Sequence, residues 1–128
     1  MTKKLLIVED EVHIRSLLAQ TLEELEDDHD VEILTASDGE EGLETIRREH
    51  PSVVFLDIMM PRLNGYEVCR AVQEDPDIKE TTIVLLTAKG QEADRKKGLE
   101  LGAYDYMTKP FDPDEVLGLA KELLQLSD

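Results

Sequence analysis

Hydrophobic positions in this chain fall into short unbroken runs separated by amphipathic stretches. Leu5-Leu6-Ile7-Val8 is the first run, and it stops on Glu9-Asp10-Glu11, the pattern of a strand covered on both faces and closed by acids. From Val12 to Glu26 the apolar residues Ile14, Leu17, Leu18, Leu22 and Leu25 recur at helical spacing, which predicts one amphipathic helix. After the polar loop Asp27-Asp28-His29-Asp30, Val31 to Ala36 partly alternates, as expected of a peripheral strand with one exposed face. Asp38 followed by Glu41 resembles a capping box, and Leu43 and Ile46 mark the inner stripe of a second helix ending before His50-Pro51. The run from Ser52 to Pro61 is apolar except at Asp57. A carboxylate closing so greasy a strand needs cations, a metal or solvent within reach, because burial without a partner costs several kcal/mol or forces protonation.

Met60 to Leu63 reads as a loop, and Asn64-Gly65-Tyr66-Glu67 opens a third helix with Asn as N-cap and Glu at its third position, Val68, Cys69 and Val72 facing inward. A turn at Glu74 to Asp77 precedes a fully apolar fourth strand, Thr82 to Thr87, closed by a hydroxyl. Gln91 to Leu101 forms a fourth helix that is polar nearly all round, with Gly98 inside it and Gly102 as its stop. Ala103 to Met107 alternates like an edge strand, and Thr108 to Phe111 follows as a loop. Asp112 as N-cap, Pro113 and Glu115 open the last helix, with Val116, Ala120, Leu123 and Leu124 inward. Five strands alternating with five helices predict an α/β fold, a (βα)5 doubly wound parallel sheet with helices on both faces, in the manner of a flavodoxin-like three-layer sandwich. Putting the two polar strands at the edges gives the order 2-1-3-4-5. Ligands bind such sheets at the switch point between strands one and three, where Glu9, Asp10 and Asp57 lie.

The 128 residues are expected to form one domain over 1–128. A net charge of -16 argues against direct nucleic-acid or anionic-membrane binding. The apolar start is too short for a signal peptide or a membrane span. A single cysteine, Cys69, excludes an internal disulfide, and no Cys/His spacing suggests zinc; a reducing cytoplasm is the expected compartment.

Three carboxylates at one switch point repel one another unless a hard divalent cation takes their oxygens. Mg2+ suits this set best, with Mn2+ as a possible substitute. Thr87 adds a hydroxyl from the fourth strand and Lys109 an ammonium from the loop after the fifth. These groups meet the electrostatic requirements of phosphoryl transfer to a carboxylate, with Asp57 as acceptor.

Glu9-Asp10, Asp57 with Met60-Pro61 and Asn64-Gly65, Thr87-Ala88, and Lys109-Pro110-Phe111 together resemble a response-regulator receiver domain of two-component signalling, over essentially the whole chain. The resemblance implies that Asp57 accepts a phosphoryl group from a sensor histidine kinase or a histidine phosphotransfer protein. It implies that Asp10, Asp57 and the Met59 backbone carbonyl hold Mg2+, Glu9 acting through water, and that Lys109 and Thr87 contact the phosphoryl group. Thr87 and Tyr106 would form the switch pair. A cis peptide is implied at Lys109-Pro110, and partner docking on Ile14, Leu17 and Pro110. Such a protein is a signalling switch, not an enzyme beyond its own phosphorylation and dephosphorylation, and controls a downstream partner or an output domain.

Plainer readings stand beside these. Glu9 and Asp10 could be solvated acids at a helix N-terminus, Tyr106 an ordinary cover on an edge strand, and the Arg95-Lys96-Lys97 run a solvated helical face. His13, His29 and His50 read as solvated, and Cys69 as a small core residue. A flavin or nucleotide carrier of the same topology is disfavoured because the acids after strand one would repel phosphate. A Mg2+-dependent aspartyl-phosphate hydrolase is disfavoured because its nucleophile normally follows strand one. A degenerate receiver would lack part of the acceptor set. Members linked to winged-helix domains usually dimerise through ion pairs, but Tyr104 and Leu119 stand where an Asp and an Arg are usual, leaving a monomer or a phosphorylation-dependent homodimer open. Met59 and Lys89 occupy positions that in the family tend to set phosphoryl lifetime.

Overall fold

The computed structural model describes residues 3–88 and 92–126, excluding the side chains of 92–95. Five strands, β1 (Lys3–Val8), β2 (Val31–Ala36), β3 (Val53–Asp57), β4 (Thr82–Ala88) and β5 (Asp105–Lys109), pair in parallel in the order β2-β1-β3-β4-β5. Among the described residues six helices accompany them: α1 (Val12–Thr21), α2 (Glu23–His29), α3 (Gly39–Glu49), α4 (Gly65–Glu74), α5 (Glu92–Glu100) and, after the last strand, α6 (Pro113–Leu123). The runs read as doubly covered strands are buried throughout: Leu5 to Val8, Val53 to Leu56 and Val84 to Leu86 have no exposed surface. Alternate residues of each strand feed two cores. Leu6, Val8, Val54, Leu56 and Leu85 meet Ile46, Val68 and Val72 on one face, while Leu5, Ile7, Phe55, Val84 and Leu86 meet Leu18, Leu22, Val116 and Ala120 on the other. This division makes the three layers, because successive strand side chains point to opposite faces.

The single first helix expected over 12–26 is broken. Leu22, at φ -94 and ψ 0, ends α1 and begins α2, and Asp30 closes α2 in the left-handed region. The bend lets both Leu22 and Leu25 reach full burial, which outweighs one lost turn of regular helix. His29, expected in a loop, is the last residue of α2 and half-buried. The fifth strand lies two residues later than the alternation suggested. Tyr104 N–H already bonds Ile83 O, but the ladder proper runs on through Thr87↔Thr108 and Ala88↔Lys109, so Lys109 ends a strand and is not a loop residue.

The caps follow the sequence closely. Asn64 and Glu67 form a complete capping box at α4. Asp38 accepts from Glu41 N–H, but the Glu41 carboxylate reaches Ser37 instead of returning to the cap, so only half the box forms. Asp112 caps α6 with Pro113 in its first turn. Gly102, at φ 102, ends α5: its N–H bonds Leu99 O and the Ala103 N–H bonds Gly98 O, the paired bonds of a glycine-terminated helix. Gly98 is buried because a Cβ there would lie 2.2 Å from Leu85 Cδ1, so the polar helix seats its backbone directly on β4. Gln91, at the expected start of this helix, lies outside the described residues. Among the described residues no helix is long and apolar enough to cross a membrane.

Candidate functional site

The carboxyl ends of β1, β3, β4 and β5 meet around a cleft of about 450 Å³ lined by Glu9, Asp10, Asp57, Met59, Thr87 and Lys109, among others. Each strand delivers its group because parallel pairing puts four chain ends at one edge: Val8 stands beside Leu56, Asp57 beside Leu86, and Ala88 beside Lys109. Asp57 is 4% exposed and Glu9 wholly buried, while Asp10 lies in solvent. Their carboxylate oxygens can all be found within 4.8 Å of one another.

Lys109 Nζ bridges the two buried acids, at 2.8 Å from Glu9 Oε1 and 3.1 Å from Asp57 Oδ1. One ammonium against three carboxylates leaves the cluster with two formal negative charges. Burial pushes the Glu9 carboxyl up to about 7 despite the opposing pull of Lys109 and of the Glu11 N–H, and the Asp57 charge adds to the rise. Burial likewise raises Asp57, with Lys109 opposing. For Lys109, burial alone would lower the ammonium, but the close contacts with the Glu9 and Asp57 carboxylates together prevail and its pKa rises. Glu9 Oε2 accepts from Glu11 N–H at 3.1 Å. Glu9 Oε1 is buried and meets no hydrogen-bond donor of acceptable geometry among the described residues, its 2.8 Å contact with Lys109 being an ion pair.

Oxygen ligands only, excess negative charge and an under-satisfied buried carboxylate oxygen fit a hard divalent cation. Glu9, Asp10 and Asp57 could supply ligands.

The matching profile is that of the response regulator receiver domain, over residues 5–121. The chain belongs to this family. It is 45% identical over 126 residues to ycf27 of Cyanophora paradoxa, covering 98% of this chain and 50% of that protein. It is also 45% identical over 128 residues to the alkaline phosphatase synthesis transcriptional regulatory protein PhoP of Bacillus subtilis, covering 100% of this chain and 51% of PhoP. The chain thus spans about half the length of these relatives. Among solved structures, the receiver domain of NtrX from Brucella abortus superimposes with a TM-score of 0.82 at 32% identity, over 96% of this receiver and 99% of that one.

Of the remaining expected residues, Thr87, Met59 and Ile14 line this receiver's cleft, and Leu17, Pro110 and Tyr106 do not. Thr87 is 4% exposed near the end of β4, its hydroxyl making, among the described residues, only a long 3.5 Å contact to Ala88 O. Met59 is 78% exposed at the rim, Ile14 lines the cleft half-buried, Leu17 is 48% exposed, and Pro110, after a cis Lys109-Pro110 bond, is exposed. Tyr106 is half-buried against the core shared by α3 and α4. His13 and His50 are exposed. Cys69 is buried and its thiol pushed up to about 12, an unreactive core residue. Lys89 and the Arg95 side chain lie outside the described residues.

Three residues escaped the sequence reading. Glu11 is the N-cap of α1, accepting from His13 N–H and Ile14 N–H. Arg15 Nη1 donates to Glu9 O at 2.8 Å. Arg62, at φ 71, reaches Asp38 and Glu40 across the surface at 3.9 and 3.7 Å. Glu11 was legible as an acid before an apolar-periodic stretch, whereas the other two contacts depend on loop paths that no periodicity encodes.

Proposed function

We propose that this receiver, as one domain over residues 1–128, is a phospho-accepting switch in which an Asp57 oxygen attacks the phosphorus of a phosphohistidine on a sensor histidine kinase or histidine phosphotransfer protein. The O–P bond forms as the P–N bond to the donor imidazole breaks, and the departing nitrogen is protonated from solvent. The observation that carries this reading is the Asp57 carboxylate on the floor of an open cleft, with two further acids within 4.8 Å and Lys109 at 3.1 Å. Asp10, Asp57, the Met59 carbonyl and, through water, Glu9 would hold Mg2+. The bound ion supplies positive charge against the oxygens of the group in transfer.

Lys109 is already beside Asp57 and pairs with a phosphoryl oxygen once the acceptor charge moves outward. Thr87 has a hydroxyl with no strong bond to give up, so it turns to the new anion, and Tyr106 follows in the switch. Ile14, Leu17 and Pro110 form the apolar seat of the phosphodonor. The relatives' length and PhoP's name support an output in transcription through a partner or further domain, because a chain of net charge -16 is not itself suited to DNA. Tyr104, 56% exposed, and the half-buried Leu119 support a weaker or differently built dimer than the ion-paired one.

Intact mass after incubation with acetyl phosphate and Mg2+ tests the mechanism. The parent gains one phosphoryl group; Asp57→Asn and the parent in chelator do not. No gain by the parent, or equal labelling of Asp57→Asn, sinks it. Lys109→Ala is expected to accept phosphate more slowly and to switch poorly.

A further inference from the structure

The turn from Glu9 to Glu11 is pinned at every point except the side chain a cation needs most. Glu9 N–H bonds Ala36 O at the end of β2, Glu11 N–H bonds Glu9 Oε2, and the Glu11 carboxylate caps α1. The Asp10 carboxylate is exposed, and no hydrogen bond or ion pair to a described residue holds it. Its position therefore rests on the backbone that carries it. The peptide joining Glu9 to Asp10 is a rigid plane, so the direction of the Glu9 carbonyl fixes the Asp10 N–H and Cα as well. That carbonyl accepts from Arg15 Nη1 at 2.8 Å, and the guanidinium is half-buried on α1, one turn beyond the cap.

We infer that Arg15 is a positioning residue for the cation site: by holding the Glu9 carbonyl it aims the Asp10 carboxylate at Glu9 and Asp57. This rests on reading the three acids as a divalent-cation site. The inference has a distinctive sign. A guanidinium near a cation site repels the cation, so its removal for electrostatic reasons alone tightens binding. Loss of an outer partner that orients a ligand weakens affinity, typically about 10- to 100-fold. The two effects oppose each other, and the geometry assigns the larger to orientation: the Arg15 bond is made to the peptide that carries Asp10 itself, whereas the other bonds of the turn hold Glu9 N–H and Glu11.

Calorimetric titration with MgCl2 tests this, using the parent, Arg15→Met, Arg15→Lys and Asp10→Asn, each first unfolded thermally in chelator to establish that it folds. Arg15→Met keeps the apolar stem that packs on the helix, so it loses the donor and the charge without a cavity. The expected result is about tenfold or greater weakening of Mg2+ in Arg15→Met, with part of the affinity recovered in Arg15→Lys, which keeps a donor. Acetyl phosphate labelling should show the same split, with a raised Mg2+ requirement and a normal maximum at saturating Mg2+. Unchanged or tighter Mg2+ binding by Arg15→Met overturns the inference. Failure of the parent itself to bind Mg2+ overturns instead the cation reading on which it stands.

Discussion

At Glu9, burial and charge pull in opposite directions, and burial wins. The carboxyl titrates near 7 in the folded chain against 4.5 for a free glutamate, so folding takes up a proton between those values. The sign follows by linkage: the folded state binds more protons than the unfolded, so stability from this group is fully present below pH 4.5 and is lost as pH rises through 7. Asp57 shifts in the same direction. In chelator, the unfolding free energy from urea titration is therefore expected to be higher at pH 5 than at pH 8, by about 2 kcal/mol from Glu9. Glu9→Gln should flatten that slope and be more stable than the parent at pH 8. If the variant keeps the parent's slope, the dependence belongs to the general repulsion of a chain of net charge -16. The same substitution should weaken Mg2+, because the instability of the buried anion and its suitability for a cation have one cause.

The elements show where propensity and packing disagree. Gly98 inside α5 looks like a defect by helix propensity, and alanine ordinarily gains about 1 kcal/mol over glycine in a helix. Here a Cβ would meet Leu85 Cδ1 at 2.2 Å, and overpacking a filled core costs about 1–3 kcal/mol. Gly98→Ala is thus expected to destabilise by about 1 kcal/mol net, read from chemical unfolding, and Leu85→Val in the same chain should recover part of that loss. A gain in stability from the single change would mean that α5 does not sit on β4 as described. At the end of α3 the opposite substitution is favoured. His50 holds φ 50 as the residue after the helix, a position glycine occupies at lower cost, and His50→Gly should raise stability by about 0.5–1 kcal/mol. Strand order, the caps at Asn64 and Asp112, and the stop at Gly102 were legible in the sequence because each depends on local chemistry or on the contrast between apolar and alternating strands. The break at Leu22 and the two-residue shift of β5 were not. Both are settled by which side chains the neighbouring layer can bury, and helical spacing runs through Leu22 unbroken.

Across the whole molecule the site spans two regions of unequal firmness. Glu9 directly follows β1 and Asp57 ends β3, central strands buried on both faces. Thr87 and Lys109 end β4 and β5, and β5 is an edge strand whose outer neighbour along the chain, α5, presents Lys96, Lys97, Leu99 and Glu100 to solvent. Among the described residues α5 is held by the Gly98 seat and by the Lys97 ammonium 4.5 Å over the Tyr66 ring, among other contacts, the latter worth about 0.5–1 kcal/mol when exposed. Thr87 and Lys109 were legible in the sequence beside the acids; what was not is that Lys109 closes the edge strand itself, through the pairing Ala88↔Lys109, instead of following it in a loop. Amide exchange should therefore divide the molecule, with Leu6, Val54, Phe55 and Leu85 opening only with global unfolding and residues 96–101 and 105–109 opening well below it. On the proposed mechanism, acetyl phosphate with Mg2+ would place an anion between Lys109 and Thr87, and a ligand protects most where ordering it draws on a low-lying opening. Protection on phosphorylation is expected to rise in α5 and β5 and to change little in β1. A uniform rise across all strands would instead mean that the phosphoryl group merely stabilises the fold, and that the edge is not the moving part of the switch.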